Sequence, residues 1–203
     1  SQLPQNLKGY DVLLFQEAFS SSRNGMLTQL AQEYPYQTHI PYGSGYNVFD
    51  SGVLVASRYP IVNTADFIYP NCTGTDCFAD KGVIYAEVIK GGKAYHVTST
   101  HTASFDTDEA RALRQEHFQQ IRALVNQQNI PAFEAVMMGG DFNVNKFLWP
   151  QDYAQMLVNL NGTNPVSTGY TASTFDPRIN ALAGAAGSGD PVAQACSSGI
   201  ESI

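Results

Sequence analysis

Asp141 and Asn143 stand two residues apart, directly behind a glycine pair, in the run Met137-Met138-Gly139-Gly140-Asp141-Phe142-Asn143. The apolar residues 135–138 before them read as a buried strand that the two glycines stop. In extended backbone this spacing sets Asp141 and Asn143 on one face and turns Phe142 the other way, into the core. A carboxylate and an amide oxygen held together at a strand end suit a hard cation such as Mg2+, or a phosphoryl group. The same residues also spell a Gly-Gly-Asp turn with an asparagine that caps a helix. Two further polar residues occupy comparable places. Glu17 follows the apolar run 11–15, and His101 closes the β-rich run 94–100. Any one of them alone is ordinary; gathered on one rim, these side chains make a site.

Positioning them requires strands that end together. Residues 52–57 read as a second buried strand and 61–69 as a weaker one. The runs 83–89 and 94–100, joined by Lys90-Gly91-Gly92-Lys93, predict an antiparallel hairpin with a type I′ turn, whose two central residues need positive φ. Ser20, Ser21 and Ser22 offer N-caps for a helix with Met26, Leu27, Leu30 and Ala31 on one face, ended by Tyr34-Pro35. Asp106 as N-cap, with Glu109 at the capping-box position, starts a helix to Gln128 that carries Ala110, Leu113, His117, Ile121 and Leu124 at helical spacing. A short amphipathic helix is expected over 152–160, behind the apolar loop Phe147-Leu148-Trp149, while 35–51 reads as a loop and 184–198 as a mobile one. Strands alternating with helices, plus one clear hairpin, predict a mixed α/β sandwich rather than a doubly wound parallel sheet.

Composition narrows the function classes. The 203 residues suffice for one domain, and 43% hydrophobic content argues against disorder. A net charge of −7 without a Lys/Arg cluster disfavours a protein that tracks a nucleic-acid backbone. No apolar run approaches the length of a membrane-spanning helix. Gly43-Ser44-Gly45 lacks the third glycine and the strand–helix context of a nucleotide fingerprint, and no Gly-x-Ser-x-Gly elbow occurs. Cys72 and Cys77 flank Thr-Gly-Thr-Asp, a spacer that lets them either close a small disulfide loop in a secreted protein or remain two thiols, with Cys196 left over. Without a CxxC pair or a Cys/His cluster, zinc has no support. Asn71-Cys72-Thr73 and Asn161-Gly162-Thr163 are glycosylation sequons.

Gln16-Glu17, Ser99-Thr100-His101 and Gly139-Gly140-Asp141-Phe142-Asn143, in that order and spacing, resemble the endonuclease/exonuclease/phosphatase superfamily, the deoxyribonuclease I-like metallophosphodiesterases. Finer features resemble its neutral sphingomyelinase (sphingomyelinase C) branch. They are Gln-Glu-Ala-Phe at 16–19, Gly-Val-Leu-Val-Ala-Ser-Arg-Tyr-Pro-Ile at 52–61 and Phe-Ala-Asp-Lys-Gly-Val at 78–83. Thr100-His101-Thr102 with Arg111 and Gln115, Tyr153-Ala154-Gln155-Met156-Leu157, and Ser173-Thr174-Phe175-Asp176-Pro177 add to them, so that the likeness covers nearly all of 8–183.

The resemblance implies a four-layer α/β sandwich, two packed mixed and largely antiparallel sheets flanked by helices, here incomplete at both ends. It implies a Mg2+-dependent phosphodiesterase that converts sphingomyelin to ceramide and phosphocholine, with Mn2+ or Ca2+ as possible substitutes for the metal. Glu17 resembles the carboxylate ligand of the metal, Asp141 and Asn143 the pair that orients phosphate and attacking water, and His101 the histidine on a phosphoryl oxygen. Asp76, Lys81 and Phe19 are substrate-binding candidates. The family's earlier Asn-bearing strand and its late Asp-His general base have no counterpart in these residues, so this chain is expected to hydrolyse little while its parent is active. A phospholipid substrate implies transient contact with a membrane surface, for which Phe147-Leu148-Trp149 is one candidate and core packing its other reading. A secreted location and no nucleic-acid partner are expected. The alternatives are a nuclease or a phosphoinositide or sugar phosphatase of the same superfamily, and a non-catalytic relative that binds a phosphorylated ligand or a partner protein.

Overall fold

The computed structural model describes residues 3–43 and 48–164, so the loop expected at 184–198 and the motif at 173–177 lie outside the described residues. The chain divides into two compact units, Ser1–Asn143 and Val144–Ile203. Every candidate site residue belongs to the first.

In that unit β1 (Val12–Phe15), β2 (Tyr36–Gln37) and β3 (Leu54–Ser57) form an antiparallel sheet with β3 in the middle. The second sheet runs β4 (Ile61–Ile68), β5 (Gly82–Lys90), β6 (Lys93–His101) and β7 (Ala135–Asp141); the first three are antiparallel, and β7 joins β6 in parallel. A parallel neighbour needs a crossover. Here that crossover is the helix α3 (Asp108–Gln127); the first sheet is preceded and interrupted by α1 (Leu3–Asn6) and α2 (Ser20–Leu30).

Alternation along β3 explains the layering. Val53 and Val55 turn toward Ile84, Ala86, Val88 and Val97 of the second sheet, making the inner core. Leu54 and Ala56 turn the other way and pack with Leu13, Phe15, Leu30 and Tyr34 under α2. On the far side α3 lies against β4 and β5 and buries Ala110, Phe118 and Ile121. The order is therefore helix, sheet, sheet, helix, as expected.

The hairpin matches expectation as well: Gly91 and Gly92 have φ of 58° and 74°, and Lys90 pairs with Lys93. Other local features differ. The glycines do not stop β7, which runs on through them to Asp141. Nor is β7 buried: Val136 and Met137 are exposed, because among the described residues no strand lies beyond it. Asn143 does not keep the alternation that would place it on the face of Asp141; its φ of 50° folds the chain back. The cap of α3 is Thr107, whose hydroxyl accepts from the Ala110 N–H at 3.2 Å, while Asp106 is drawn off to the Arg114 guanidinium at 2.9 Å. Helix α2 starts behind Phe19 rather than a serine, since the Phe19 N–H already donates to the Glu17 carbonyl in a tight turn at 2.8 Å.

In the second unit α4 (Pro150–Leu160) opens with proline in its first turn, behind Trp149, and closes on Asn161 in the left-handed region. The Trp149 indole nitrogen is buried, which favours packing over lipid contact for this loop.

Candidate active site

Glu17 is delivered by a turn that only its surroundings permit. It has φ 54°, and the next residue, Ala18, donates its N–H to the Gly52 carbonyl at 3.0 Å. Gly52 itself has φ 61°, and a Cβ there would lie 2.9 Å from the Ala18 nitrogen. Gln16 locks the strand end across the two sheets: its amide donates to Ser99 Oγ at 2.9 Å, and Ser99 Oγ donates to the Phe15 carbonyl at 2.9 Å. The Glu17 carboxylate therefore stands over the end of β6, 66% exposed.

His101 and Asp141 are register partners on β6 and β7. The pairing needs both glycines, because a Cβ on Gly140 would come 2.2 Å from the Thr100 carbonyl oxygen and one on Gly139 2.5 Å from Leu14 Cδ1. Thr102 extends the join by donating its N–H to the Asp141 carbonyl at 3.1 Å and its hydroxyl to the Phe142 carbonyl at 2.8 Å. As a result Glu17 Oε1 and Asp141 Oδ2 each lie 3.9 Å from the same atom, His101 Nε2. Asn143 completes the group: its N–H donates to Asp141 Oδ1 at 3.0 Å and its side-chain amide to the Thr102 carbonyl at 3.0 Å. That leaves the carbonyl end of the amide for a ligand.

Beneath the carboxylates lies a buried cation. Lys81 Nζ donates to His101 Nε2 at 2.9 Å and to Ser104 Oγ at 2.9 Å, and sits 3.4 Å from Asp76 Oδ1. The other Asp76 oxygen accepts the Ser104 N–H at 2.6 Å. Lys81 and His101 side chains are only 7% and 5% exposed. Burial pushes the Lys81 ammonium below its ordinary range, and the nearby Asp76 carboxylate works against that. Burial first, then the Lys81 charge, also lowers His101, against the pull of Asp141 and Glu17. With an ammonium donating to Nε2, the ring is neutral and carries its proton on Nδ1.

The structure thus brings together six of the seven candidates: Glu17, Asp76, Lys81, His101, Asp141 and Asn143. The seventh, Phe19, packs its ring on Phe49 with centroids 5.5 Å apart, at the border of the group. Ser104 and Arg114 were not singled out by sequence reading, and Ser99 entered only within the Ser99-Thr100-His101 motif. Arg114 is fully buried and donates to the carbonyls of Ala103 and Phe105 as well as to Asp106, which holds the loop bearing Ser104. Its signal was available: it falls on the apolar stripe of α3, between Ala110 and His117.

The donor set fits a magnesium ion. Two exposed carboxylates converge on one point, their ligand atoms are oxygens, and the Asn143 backbone N–H braces one of them. Among the described residues no group of three His, Cys, Asp or Glu side chains is placed to hold a metal ion. Mg2+ needs none, being held by one or two carboxylates with water and substrate phosphate making up the rest.

The model of the Endonuclease/Exonuclease/phosphatase family matches residues 1–189. The chain belongs to this family. Within the endonuclease/exonuclease/phosphatase family it is similar to sphingomyelinase C of Listeria ivanovii, 33% identical over 193 residues that make up 87% of this chain and 57% of that one. It is also similar to the crystal structure of a mutant of Staphylococcus aureus beta toxin with bound magnesium ions, at TM-score 0.85 and 32% identity over 93% of this chain and 70% of the other. The crystal structure of sphingomyelinase C from Streptomyces griseocarneus superposes at TM-score 0.84 and 32% identity, covering 94% and 70% of the two chains. These likenesses put the chain in the sphingomyelinase C branch of the family. The chain spans 57% of the length of the Listeria relative.

Proposed function

We propose that the protein is a Mg2+-dependent phosphodiesterase that hydrolyses sphingomyelin to ceramide and phosphocholine. One observation carries the reading: two solvent-facing carboxylates from different sheets meet 3.9 Å from one histidine nitrogen, above a buried lysine. Glu17, Asp141 and Asn143 would hold Mg2+, which when bound withdraws charge from a phosphoryl oxygen. The chain's own groups do the rest. Lys81 offers a fixed cation, oriented by Asp76 and Ser104, where negative charge grows on phosphorus. His101 Nε2, already accepting from Lys81, positions that cation and does not take the proton of the attacking water. Asp141, braced by the Asn143 N–H, is the group that orients that water.

The names of the relatives support sphingomyelin over other phosphodiesters. The Cys72–Cys77 disulfide supports a secreted protein, since such bonds persist in oxidising compartments. Mn2+ and Ca2+ would also enter an all-oxygen site and are proposed as weaker substitutes.

The test is phosphocholine release from sphingomyelin vesicles. Release should require added Mg2+, stop in EDTA, and fall roughly a hundredfold or more in Glu17→Gln. Release unaffected by EDTA, or plasmid nicking without phosphocholine release, would overturn the reading.

A further inference from the structure

Two segments that carry site residues end in an exposed aromatic ring, and a third packs against one. Phe78 closes the 3-10 turn Gly74–Phe78 that holds Asp76, and Phe105 follows Ser104. Phe49 touches Phe19, two residues beyond Glu17. The three are 63%, 48% and 44% exposed. They are neighbours: the N–H groups of Val48 and Phe49 donate to the Phe78 carbonyl at 3.0 and 3.3 Å, and the Phe105 ring lies 3.9 Å from where a Cβ on Gly74 would stand. Val48, also exposed, adds to the same surface.

Two features mark this surface as built rather than incidental. Phe105 has φ 66°, a left-handed conformation that a bulky side chain adopts only when its surroundings enforce it. Arg114 enforces it by gripping the Ala103 and Phe105 carbonyls from below. The second feature is charge. Asp50, Asp76 and Asp106 are turned inward to Arg23, Lys81 and Arg114, Asp80 is buried, and Asp108 beyond Phe105 is paired with Arg111, so the acids on these segments other than Glu17 are balanced or covered. An apolar patch whose neighbouring cations are already paired fits an uncharged lipid interface; an anionic membrane or a nucleic acid would call for unpaired lysines and arginines.

We propose that Phe49, Phe78 and Phe105 insert into the interface of a zwitterionic bilayer and set the rim bearing Glu17 and Asp141 down on it. The choice of lipid as occupant rests on the phosphodiesterase reading above, and binding can be measured apart from turnover.

Flotation with vesicles in EDTA makes that separation. The protein should float with phosphatidylcholine vesicles, with or without sphingomyelin, and gain nothing from phosphatidylserine. The Phe78→Ser, Phe105→Ser double variant should bind roughly tenfold more weakly or worse. Phe133→Ser, at a more exposed ring outside the patch, should bind as wild type. Hydrolysis of a water-soluble phosphocholine ester should be equal in wild type and double variant, while hydrolysis of vesicle sphingomyelin falls with binding. Phe78→Trp, which removes no ring, should show a blue shift in its added emission when vesicles are present.

Wild type that fails to float, floats only with phosphatidylserine, or matches the double variant overturns the proposal. So does Phe78→Trp emission that vesicles leave unmoved, or a wild-type dimer that the double variant dissolves, which would assign the surface to self-association. Patch-dependent flotation by a protein that hydrolyses no phosphodiester would uphold the surface and sink the enzymatic reading alone.

Discussion

Lys81 stands at a point where a lysine is costly to keep. Its stem is buried, and the ammonium is held by one ring nitrogen, one hydroxyl and one carboxylate. Desolvation of such a charge is offset only by close partners, and removing one partner strands the others. Lys81→Met keeps the apolar stem and removes the cation. Phosphocholine release should then fall roughly a hundredfold in kcat, the scale expected for a lost donor to developing charge. Lys81→Arg should not restore it, because a planar fork cannot replace a point charge in this space. Thermal unfolding checks that the loss is chemical: a Tm close to wild type with kcat unchanged would remove Lys81 from the mechanism. In sequence Lys81 looks like a surface lysine before a turn glycine. Its contacts to Ser104 and His101 join residues 20 or more apart, which no local pattern expresses.

The elements were more legible, where residue chemistry leaves one choice. Gly91-Gly92 demanded a type I′ hairpin, and the apolar run at 52–57 demanded a buried strand, which the structure places at Leu54–Ser57 with both faces covered. Glycines at 139–140 misled because the punctuation rule reads glycine as a break, whereas here it permits close approach to Thr100 and Leu14. The cap of α3 misled because Asp106 had a stronger partner in Arg114 than in the helix's own N–H groups. The reading of β7 can be tested directly. Gly140 has φ 143° and no room for a methyl group, so Gly140→Ala should destabilise the protein by about 3 kcal/mol. It should also shift Asp141 off its register with His101 and weaken Mg2+-dependent release beyond the stability loss. A urea midpoint within error of wild type would show that the strand does not run through the glycine as described.

At the scale of the whole molecule the site exists because two sheets end on one rim, Glu17 coming from the first and His101 with Asp141 from the second. The motifs pointed to those residues, but their convergence depends on the sandwich core and on the layer beneath β4 and β5, where α3 docks. His117 is the polar pin of that docking. It is 1% exposed, stacks on Tyr69 with centroids 3.9 Å apart, and accepts the Ala103 N–H at 3.3 Å, two residues past His101. Burial pulls its pKa from 6.5 down to about 4. The unfolded chain therefore takes up a proton near pH 6.5 that the folded protein refuses until about pH 4. Stability from this residue is complete above pH 6.5 and drains away as the pH falls toward 4, by about 2–3 kcal/mol in all. Carboxylates add their own acid dependence, so the decisive quantity is a difference between variants. His117→Phe retains a ring against Tyr69 and cannot titrate; it should lose about 2 kcal/mol less than wild type between pH 7 and pH 4.5 in urea unfolding. Equal losses in the two proteins would mean that His117 is protonated in the native state, and that the contact between α3 and the strand end under the active site is held by charge rather than by a neutral stack.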